Sequence, residues 1–296
     1  MTHRRAVALM VLATLLWSIA GVVTRHLESA RSVEVTFWRS LFNAMAMTVA
    51  LAWIRGPALW RELVRARWPV WVSGVCWAVM FTAFMVALTL TSVANVLVTV
   101  AIGPSITAIF ARLFLGYRLP LRTWLSIVIG SIGIAWMFGQ EAGRGISFAG
   151  TAVALLVPLA AAINWTLLQH ISHHTGDPDK RLAQDMLPAA LIGAVLSAGI
   201  TLPFAYPLQS SHHDLSLLAM LGVVQLAIPC LLVVRLTREL PAPEIALLGL
   251  LEVVFGVAWA WIGAGERPTT GALAGGALVL GALVGNEMLA LRRRHW

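Results

Sequence analysis

Long apolar runs separated by short polar connections make up most of this chain. A transmembrane helix needs about 20 mostly apolar residues to cross the hydrocarbon core of a bilayer. The runs that meet this length cover approximately residues 6–25, 35–54, 69–90, 93–115, 122–139, 148–170, 183–203, 215–235, 243–263 and 270–290. The pattern therefore predicts an all-α membrane protein with ten transmembrane helices and no soluble domain between them.

Composition agrees with this prediction, because 59% of the residues are hydrophobic and only 11% are charged, unlike a soluble domain. A net charge of +8 can indicate a nucleic-acid binder, but here the basic residues form short clusters between apolar runs instead of one basic face. We therefore expect contact with a lipid bilayer and none with nucleic acid. Cys76 and Cys230 both lie within apolar runs, so no disulfide or zinc site is indicated.

Arginine and lysine are distributed unequally between alternate connections, and the excess marks the cytoplasmic side of a membrane protein. One set of segments holds Arg4, Arg5, Arg55, Arg61, Arg65, Arg67, Arg118, Arg122, Lys180, Arg181, Arg235, Arg238, Arg292, Arg293 and Arg294. The other set holds Arg25, Arg31, Arg144 and Arg267. This bias predicts an even number of spans with both termini in the cytoplasm. The membrane in question is expected to be the inner membrane of a bacterium.

The two halves resemble each other at an offset of about 148 residues. The aligned pairs are Leu16-Trp17-Ser18 with Asn164-Trp165-Thr166, Gly103-Pro104 with Glu252-Val253, and Gly116-Tyr117-Arg118 with Gly265-Glu266-Arg267. Each half contains five spans, an odd number, so the second half must enter the membrane upside down. We therefore predict two inverted five-helix repeats, residues 1–143 and 144–296, around a central cavity at the bilayer midplane.

Several of these motifs, in this order, resemble the drug/metabolite transporter superfamily, EamA branch. They are Trp17-Ser18, Arg39, Gly103-Pro104, and Leu251-Glu252 with Gly265-Glu266-Arg267. The resemblance covers essentially the whole chain, and within the branch it is closest to YddG-type amino-acid exporters. It implies a ten-helix bundle in which helices 1–4 and 6–9 surround the cavity. The chain departs from symmetry at Tyr117, where the second repeat has Glu266.

Two charged residues within the spans are candidates for the transport chemistry, since a charge at bilayer depth is costly. Glu252 lies near the middle of the ninth span, where burial favours its protonated form, so it is a candidate proton carrier; a permanent hydrogen bond or a pair with Arg39 is the structural alternative. Arg39 can bind a substrate carboxylate through its bidentate fork, although an ion pair with Glu34 or Glu28 is the default role for such a residue. Arg112 is expected to extend to the membrane interface.

Aromatic, amide and proline residues are expected to complete the cavity. Trp17 and Trp165 are repeat equivalents far from the interface where tryptophan usually lies, and Pro104 frees a backbone carbonyl beside the site. For each of these residues, helix packing is the alternative role. The proposed substrate-binding residues are Trp17, Asn43, Trp77, Phe81, Asn95, Pro104, Asn164, Trp165, Gln225 and Glu252.

The function that these features indicate is secondary export of amino acids, especially aromatic or other apolar ones, and of related small metabolites by alternating access. No Walker glycine loop is present, so ATP is not the direct energy source, and neither a cofactor nor a metal is expected. His170, His173 and His174 have a spacing that can bind zinc, but the sequence offers no cysteine or carboxylate on the same helix face to complete the site. A multidrug or organic-cation exporter and an integral-membrane lipid-modifying enzyme are the alternatives. We expect a monomer, with a dimer through the glycines of the last span as the alternative.

Overall fold

Helices account for all of the regular secondary structure in the part of the chain that the computed structural model describes, residues 2–30, 32–142, 147–174, 186–265 and 269–292. The first eight are α1 (His3–Trp17), α2 (Ala20–Thr24), α3 (Ser32–Arg55), α4 (Ala58–Val64), α5 (Trp68–Leu90), α6 (Val93–Val100), α7 (Gly103–Leu115) and α8 (Leu121–Ala142). The others are α9 (Phe148–His174), α10 (Leu187–Ala205), α11 (His212–Met220), the π-helix π1 (Leu221–Ala227), α12 (Ile228–Leu236), α13 (Ala242–Gly249), α14 (Leu251–Ala264) and α15 (Thr270–Arg292). The all-α class is confirmed for these ranges.

Nine helical stretches within the described ranges are long and apolar enough to cross a membrane. They are His3–Thr24, Val33–Arg55, Trp68–Leu90, Asn95–Leu115, Leu121–Gly139, Phe148–Ile171, Leu187–Ala205, His212–Leu236 and Ala242–Gly263. A shorter apolar stretch, Thr270–Asn286, occupies the position of the tenth predicted span. The count of ten and the inverted arrangement stay predictions, and the junction at 143 and 144 lies outside the described residues, as do Lys180, Glu266 and Arg267.

Two of the spans that the repeat alignment makes equivalent are interrupted at corresponding places. Val100 ends α6 and Gly103 begins α7, while Gly249 ends α13 and Leu251 begins α14. Pro104 lies in the first turn of α7, where the missing N–H costs no helical hydrogen bond. Broken helices in corresponding positions of two halves are typical of the substrate site in transporters.

The eighth predicted span is also irregular. Its middle section is π1, which passes directly into α12 one residue before Pro229. π-Helical turns inside α-helices occur frequently at functional sites. The first span has a similar irregularity, a turn at Ser18 and Ile19 between α1 and α2.

Glycines let the last span pack closely inside one molecule. A Cβ atom on Gly275 of α15 would collide with the carbonyl oxygen of Gly133 and with Met137 on α8. A Cβ on Gly281 or Gly285 would meet no atom within 4 Å. Gly275 therefore serves packing between α15 and α8, while the Gly281 and Gly285 spacing lies on an open face.

Gly222 of π1 packs against the backbone of α3, and replacing it by alanine is expected to destabilise the fold by about 1–3 kcal/mol. The new Cβ would lie 2.5 Å from the Cβ of Phe42 and 2.8 Å from the carbonyl oxygen of Arg39. Thermal unfolding in detergent measures the effect, with Gly199→Ala as the control because no atom lies within 4 Å of its Cβ position. Equal melting temperatures for the two variants would contradict this packing.

Candidate functional site

Arg39 is a buried cation on α3, with 4% of its surface exposed. Its Nη2 donates to the carbonyl oxygen of Phe81 at 3.3 Å, and its Nε has no hydrogen-bond partner. The alternative pairing with Glu34 does not occur, because that carboxylate accepts hydrogen bonds from Gln209 and Ser210 instead. An incompletely satisfied buried guanidinium is costly, so this one is placed to bind an acceptor that the protein itself does not supply.

Glu252 lies in the first turn of α14, where the positive end of the helix dipole favours its negative charge. Its carboxylate and the guanidinium of Arg39 interact electrostatically, yet these two described side chains have no nitrogen–oxygen distance of 4.0 Å or less. Protein atoms surround Glu252, although its side chain keeps accessible surface. The two opposite charges therefore interact across a gap that is wider than a direct ion pair.

Three aromatic rings pack together next to Arg39. The ring of Trp77 lies 5.5 Å from that of Phe81 and 5.3 Å from that of Trp165, the latter edge-on at 84°. Trp77 is 1% exposed and its Nε1 has no hydrogen-bond partner. Since the backbone carbonyl of Phe81 holds Arg39, the aromatic cluster and the cation share one wall.

Trp17 has close neighbours at both its backbone and its ring. Gln225 on π1 donates from Nε2 to the Trp17 carbonyl oxygen at 3.1 Å, and the Cys230 thiol lies near the Trp17 side chain. Cys230 also lies near Arg39. These contacts bring α1, α3, π1 and α12 together around Trp17, Arg39 and Gln225, and the electrostatic interaction of Arg39 with Glu252 adds α14 to the group.

The amide side chains proposed from the sequence have different surroundings. Asn43 is completely buried, and neither of its side-chain polar atoms has a hydrogen-bond partner. Asn164 accepts a hydrogen bond from Ser73 at 2.6 Å through Oδ1, while its Nδ2 is unpartnered. Buried polar atoms are nearly always satisfied by protein or water, so unpartnered ones indicate a ligand or ordered water.

Asn95 and Pro104 have structural contacts instead. The Nδ2 of Asn95 donates to the hydroxyl oxygens of Thr91 at 3.0 Å and of Thr151 at 2.8 Å, which joins α6 to α9. Pro104 is buried in the first turn of α7, and the neighbouring Gly103 approaches Pro158 of α9. For these two residues the described contacts favour a role in helix packing, which was the alternative to substrate binding.

Sequence reasoning missed two neighbours of the site. Cys230 gave only the signal of a small buried hydrophobe, although it lies five residues after Gln225 and one after Pro229. Ser73 lies one turn before Trp77 on α5 and carries no motif of its own. Their roles depend on contacts between different helices, which periodicity does not specify.

A separate cavity of about 170 Å³ lies at the end of the bundle where α1 begins. Its lining is His3, Tyr117, Leu119, Pro120, Arg122, Thr123, Glu239, Pro241, Glu244 and Asn286. His3 Nε2 lies 3.2 Å from Glu244 Oε1, and burial raises the pKa of the Tyr117 phenol, with Glu244 adding to the effect and Arg122 opposing it. Because His3 and Asn286 share this cavity, α1 and α15 meet at this end of the bundle.

Comparison with known proteins agrees with these observations. The sequence profile of the EamA-like transporter family matches residues 4–139 and again residues 148–286. The chain belongs to this transporter family. The transporter is similar to the pseudopaline exporter CntI from two strains of Pseudomonas aeruginosa, at 24% identity over 287 residues that span 95% of both chains. An uncharacterised transporter of the same species is 27% identical over 143 residues, 46% of this chain and 48% of its own.

A solved crystal structure also has the same fold as the transporter. It superposes with a TM-score of 0.79 at 17% sequence identity, over 98% of this chain and 99% of the other. The family, its relatives and the apolar helices together describe a multi-pass membrane protein that transports a small molecule. The matched relatives are transporters, which favours transport over the lipid-modifying enzyme.

Proposed function

We propose that this transporter is a secondary exporter of amino acids, chiefly aromatic or other apolar ones, and of related small metabolites. The observation that carries the proposal is the pair of opposite charges, Arg39 and Glu252, which interact without a direct ion pair, together with the Trp77 cluster beside Arg39. A guanidinium fork suits a carboxylate, a carboxylate suits an ammonium group, and aromatic rings suit a flat or aliphatic side chain. An amino acid carries all three of these features.

Export is the direction that the relatives support, since CntI is named as an exporter of pseudopaline. We extend that direction to this chain, in the bacterial inner membrane with both termini in the cytoplasm, as the arginine distribution predicts. The likeness to YddG-type exporters belongs to the same proposal. It rests on the aromatic content and on the buried position of Trp77 and Trp165.

Two inverted five-helix repeats, residues 1–143 and 144–296, are the architecture we propose for alternating access. The two successive matches of one family profile support it, and so do the equivalent interruptions before Gly103 and Leu251. Each interruption begins a half-helix partway along a predicted span. The N-terminus of α14 carries Glu252.

Proton coupling follows if Glu252 binds either a proton or the substrate ammonium group, but not both. A proton entering from one side would then release the substrate on that side, which gives exchange of the two. The unpartnered atoms of Asn43, Asn164 and Gln225 would supply hydrogen bonds to the bound amino acid. No nucleotide or metal is needed for such a cycle.

An organic-cation or multidrug exporter is the second candidate. Glu252 beside an aromatic wall is a combination that binds cations through charge and through ring faces. The buried guanidinium of Arg39 opposes a cationic substrate, because like charges in one cavity repel. The two candidate substrates therefore differ at Arg39: an amino acid brings a carboxylate that binds the guanidinium, whereas an organic cation brings a charge that the guanidinium repels.

Uptake into proteoliposomes distinguishes the candidates. Radiolabelled L-phenylalanine is expected to show saturable flux that unlabelled L-tryptophan and L-leucine inhibit, because these share the carboxylate, the ammonium group and an apolar side chain. Tetraphenylphosphonium, a lipophilic cation, is expected not to compete. Inhibition by tetraphenylphosphonium alone would instead favour the organic-cation reading.

A further inference from the structure

Two carboxylates join the first connection of the chain to the connection between α10 and α11. Asp214, in the first turn of α11, binds residues 28–30, and Glu34, in the first turn of α3, binds residues 209–210. Each carboxylate thus begins one helix and holds the loop that precedes the other. We call these two residues and the two bound segments the carboxylate clamp.

Asp214 is completely buried and has a full set of partners. Its Oδ1 accepts the backbone N–H of Glu28 at 2.8 Å, and its Oδ2 accepts those of Ser29 at 2.9 Å and Ala30 at 3.0 Å. The hydroxyl of Ser29 also donates to Oδ2 at 2.7 Å. Hydrogen bonds to an ionised carboxylate are about twice as strong as neutral ones, so this loop is firmly held.

Glu34 is buried to the same extent. Its Oε1 accepts the backbone N–H groups of Gln209 at 2.9 Å and Ser210 at 2.8 Å, the Ser210 hydroxyl at 2.5 Å and the indole N–H of Trp38 at 3.2 Å. A further bond crosses the clamp, from the backbone N–H of Ser211 to the Ser29 hydroxyl oxygen at 3.2 Å. The two loops are separated by about 180 residues of chain and are joined by these polar contacts.

A hydrophobic seal lies directly beneath the clamp. Its buried members are Val35, Met85, Leu218 and Leu221, and Phe84 packs against them. Phe84 is one turn beyond Phe81 along α5, on the clamp side of the aromatic cluster. On α3 the order from this end inwards is Glu34, Val35 and Arg39, and on α5 Phe84 and Met85 lie nearer this end than Phe81. On both helices the seal therefore lies between the Arg39 site and this end of the bundle.

This end is opposite the separate cavity, because α1 begins at His3 in that cavity and the clamp follows α2. We propose that the carboxylate clamp is the gate that closes this end of the transport path and opens once in every transport cycle. The inference rests on the proposed function only in taking the chain to be an alternating-access transporter. It assigns to Glu34 and Asp214 a role in gating that is separate from substrate binding.

Cysteine labelling tests the gate without any substrate. The chain has only Cys76 and Cys230, both buried, so Cys76→Ala with Cys230→Ser gives a background in which Phe84→Cys is the reporter. Asp214→Asn or Glu34→Gln removes acceptor oxygens from buried donors and is expected to raise the rate of labelling by a membrane-impermeant maleimide about tenfold. Glu28→Gln is the control, because its side chain is exposed and only its backbone meets Asp214. Unchanged labelling in both clamp variants would overturn the proposal.

A disulfide across the clamp tests the opposite direction. Ser29→Cys with Ser211→Cys, in the same background without the Phe84 reporter, places thiols on two residues that are already in contact, since the backbone N–H of Ser211 lies 3.2 Å from the Ser29 hydroxyl oxygen. Oxidation is expected to stop exchange of radiolabelled L-phenylalanine, and dithiothreitol to restore it, while the single-cysteine variants respond to neither. Undiminished exchange in the cross-linked protein would contradict a gating role. Absence of amino-acid flux in the wild-type protein would count against the substrate class alone, since maleimide labelling reads the gate independently.

Discussion

Replacing Arg39 by glutamine is expected to lower amino-acid flux about a hundredfold or more, the largest effect of any single substitution considered for this transporter. The substitution removes the fork that binds the substrate carboxylate, an interaction of the charge-assisted class. It also leaves the Glu252 carboxylate without the cation that now balances it, and an uncompensated buried charge is strongly destabilising. Initial rates of L-phenylalanine uptake in proteoliposomes measure the loss.

Two further variants separate these causes. Arg39→Lys keeps the charge but loses the planar fork, so we expect a protein as stable as the wild type with flux still reduced at least about tenfold. Arg112→Gln removes an exposed arginine at the end of α7 and should leave transport unchanged. Full activity of Arg39→Lys would show that the cation acts as a point charge and does not bind a carboxylate through its fork.

Glu252→Gln is expected to abolish the dependence of transport on a pH gradient while exchange of one amino acid for another continues. Glutamine cannot take up a proton, but its carbonyl oxygen still accepts a hydrogen bond from the substrate ammonium group. The measurement compares uptake with and without an imposed gradient, and counterflow against unlabelled L-phenylalanine. Glu62→Gln, at the ion pair with Arg55 outside the bundle centre, is the matched control.

Retained gradient dependence in Glu252→Gln would remove this residue as the proton carrier. Loss of both gradient dependence and counterflow would mean that the carboxylate is needed for substrate binding itself.

The general architecture follows from properties that are local in sequence. Apolar runs of membrane-spanning length specify the helices, and short polar connections force neighbouring helices to pack against each other. Arg39 and Glu252 could be singled out because a charge at this depth is costly and therefore rare. Trp17 and Trp165 stood out for a similar reason, as tryptophans far from the membrane interface.

Contacts between distant segments could not be foreseen in the same way. Asn95 looks like Asn43 in sequence, yet the hydroxyls of Thr91 and Thr151 occupy both hydrogens of its amide, whereas Asn43 has no partner. Which of these arrangements an amide adopts depends on the helix opposite. Asp214 likewise lies in a short polar stretch of sequence, and nothing near it in sequence indicates that it binds residues 28–30.

The central claim is that Arg39 and Glu252 receive the two charged groups of one amino acid. Inhibition of L-phenylalanine flux by analogues that lack one charge tests it most directly, with 3-phenylpropionate lacking the ammonium group and 2-phenylethylamine lacking the carboxylate. We predict that unlabelled L-phenylalanine competes with the tracer at least about tenfold better than either analogue, since each loses one charge-assisted contact. Equal competition by 2-phenylethylamine would contradict the claim, because it would mean that no substrate carboxylate binds Arg39.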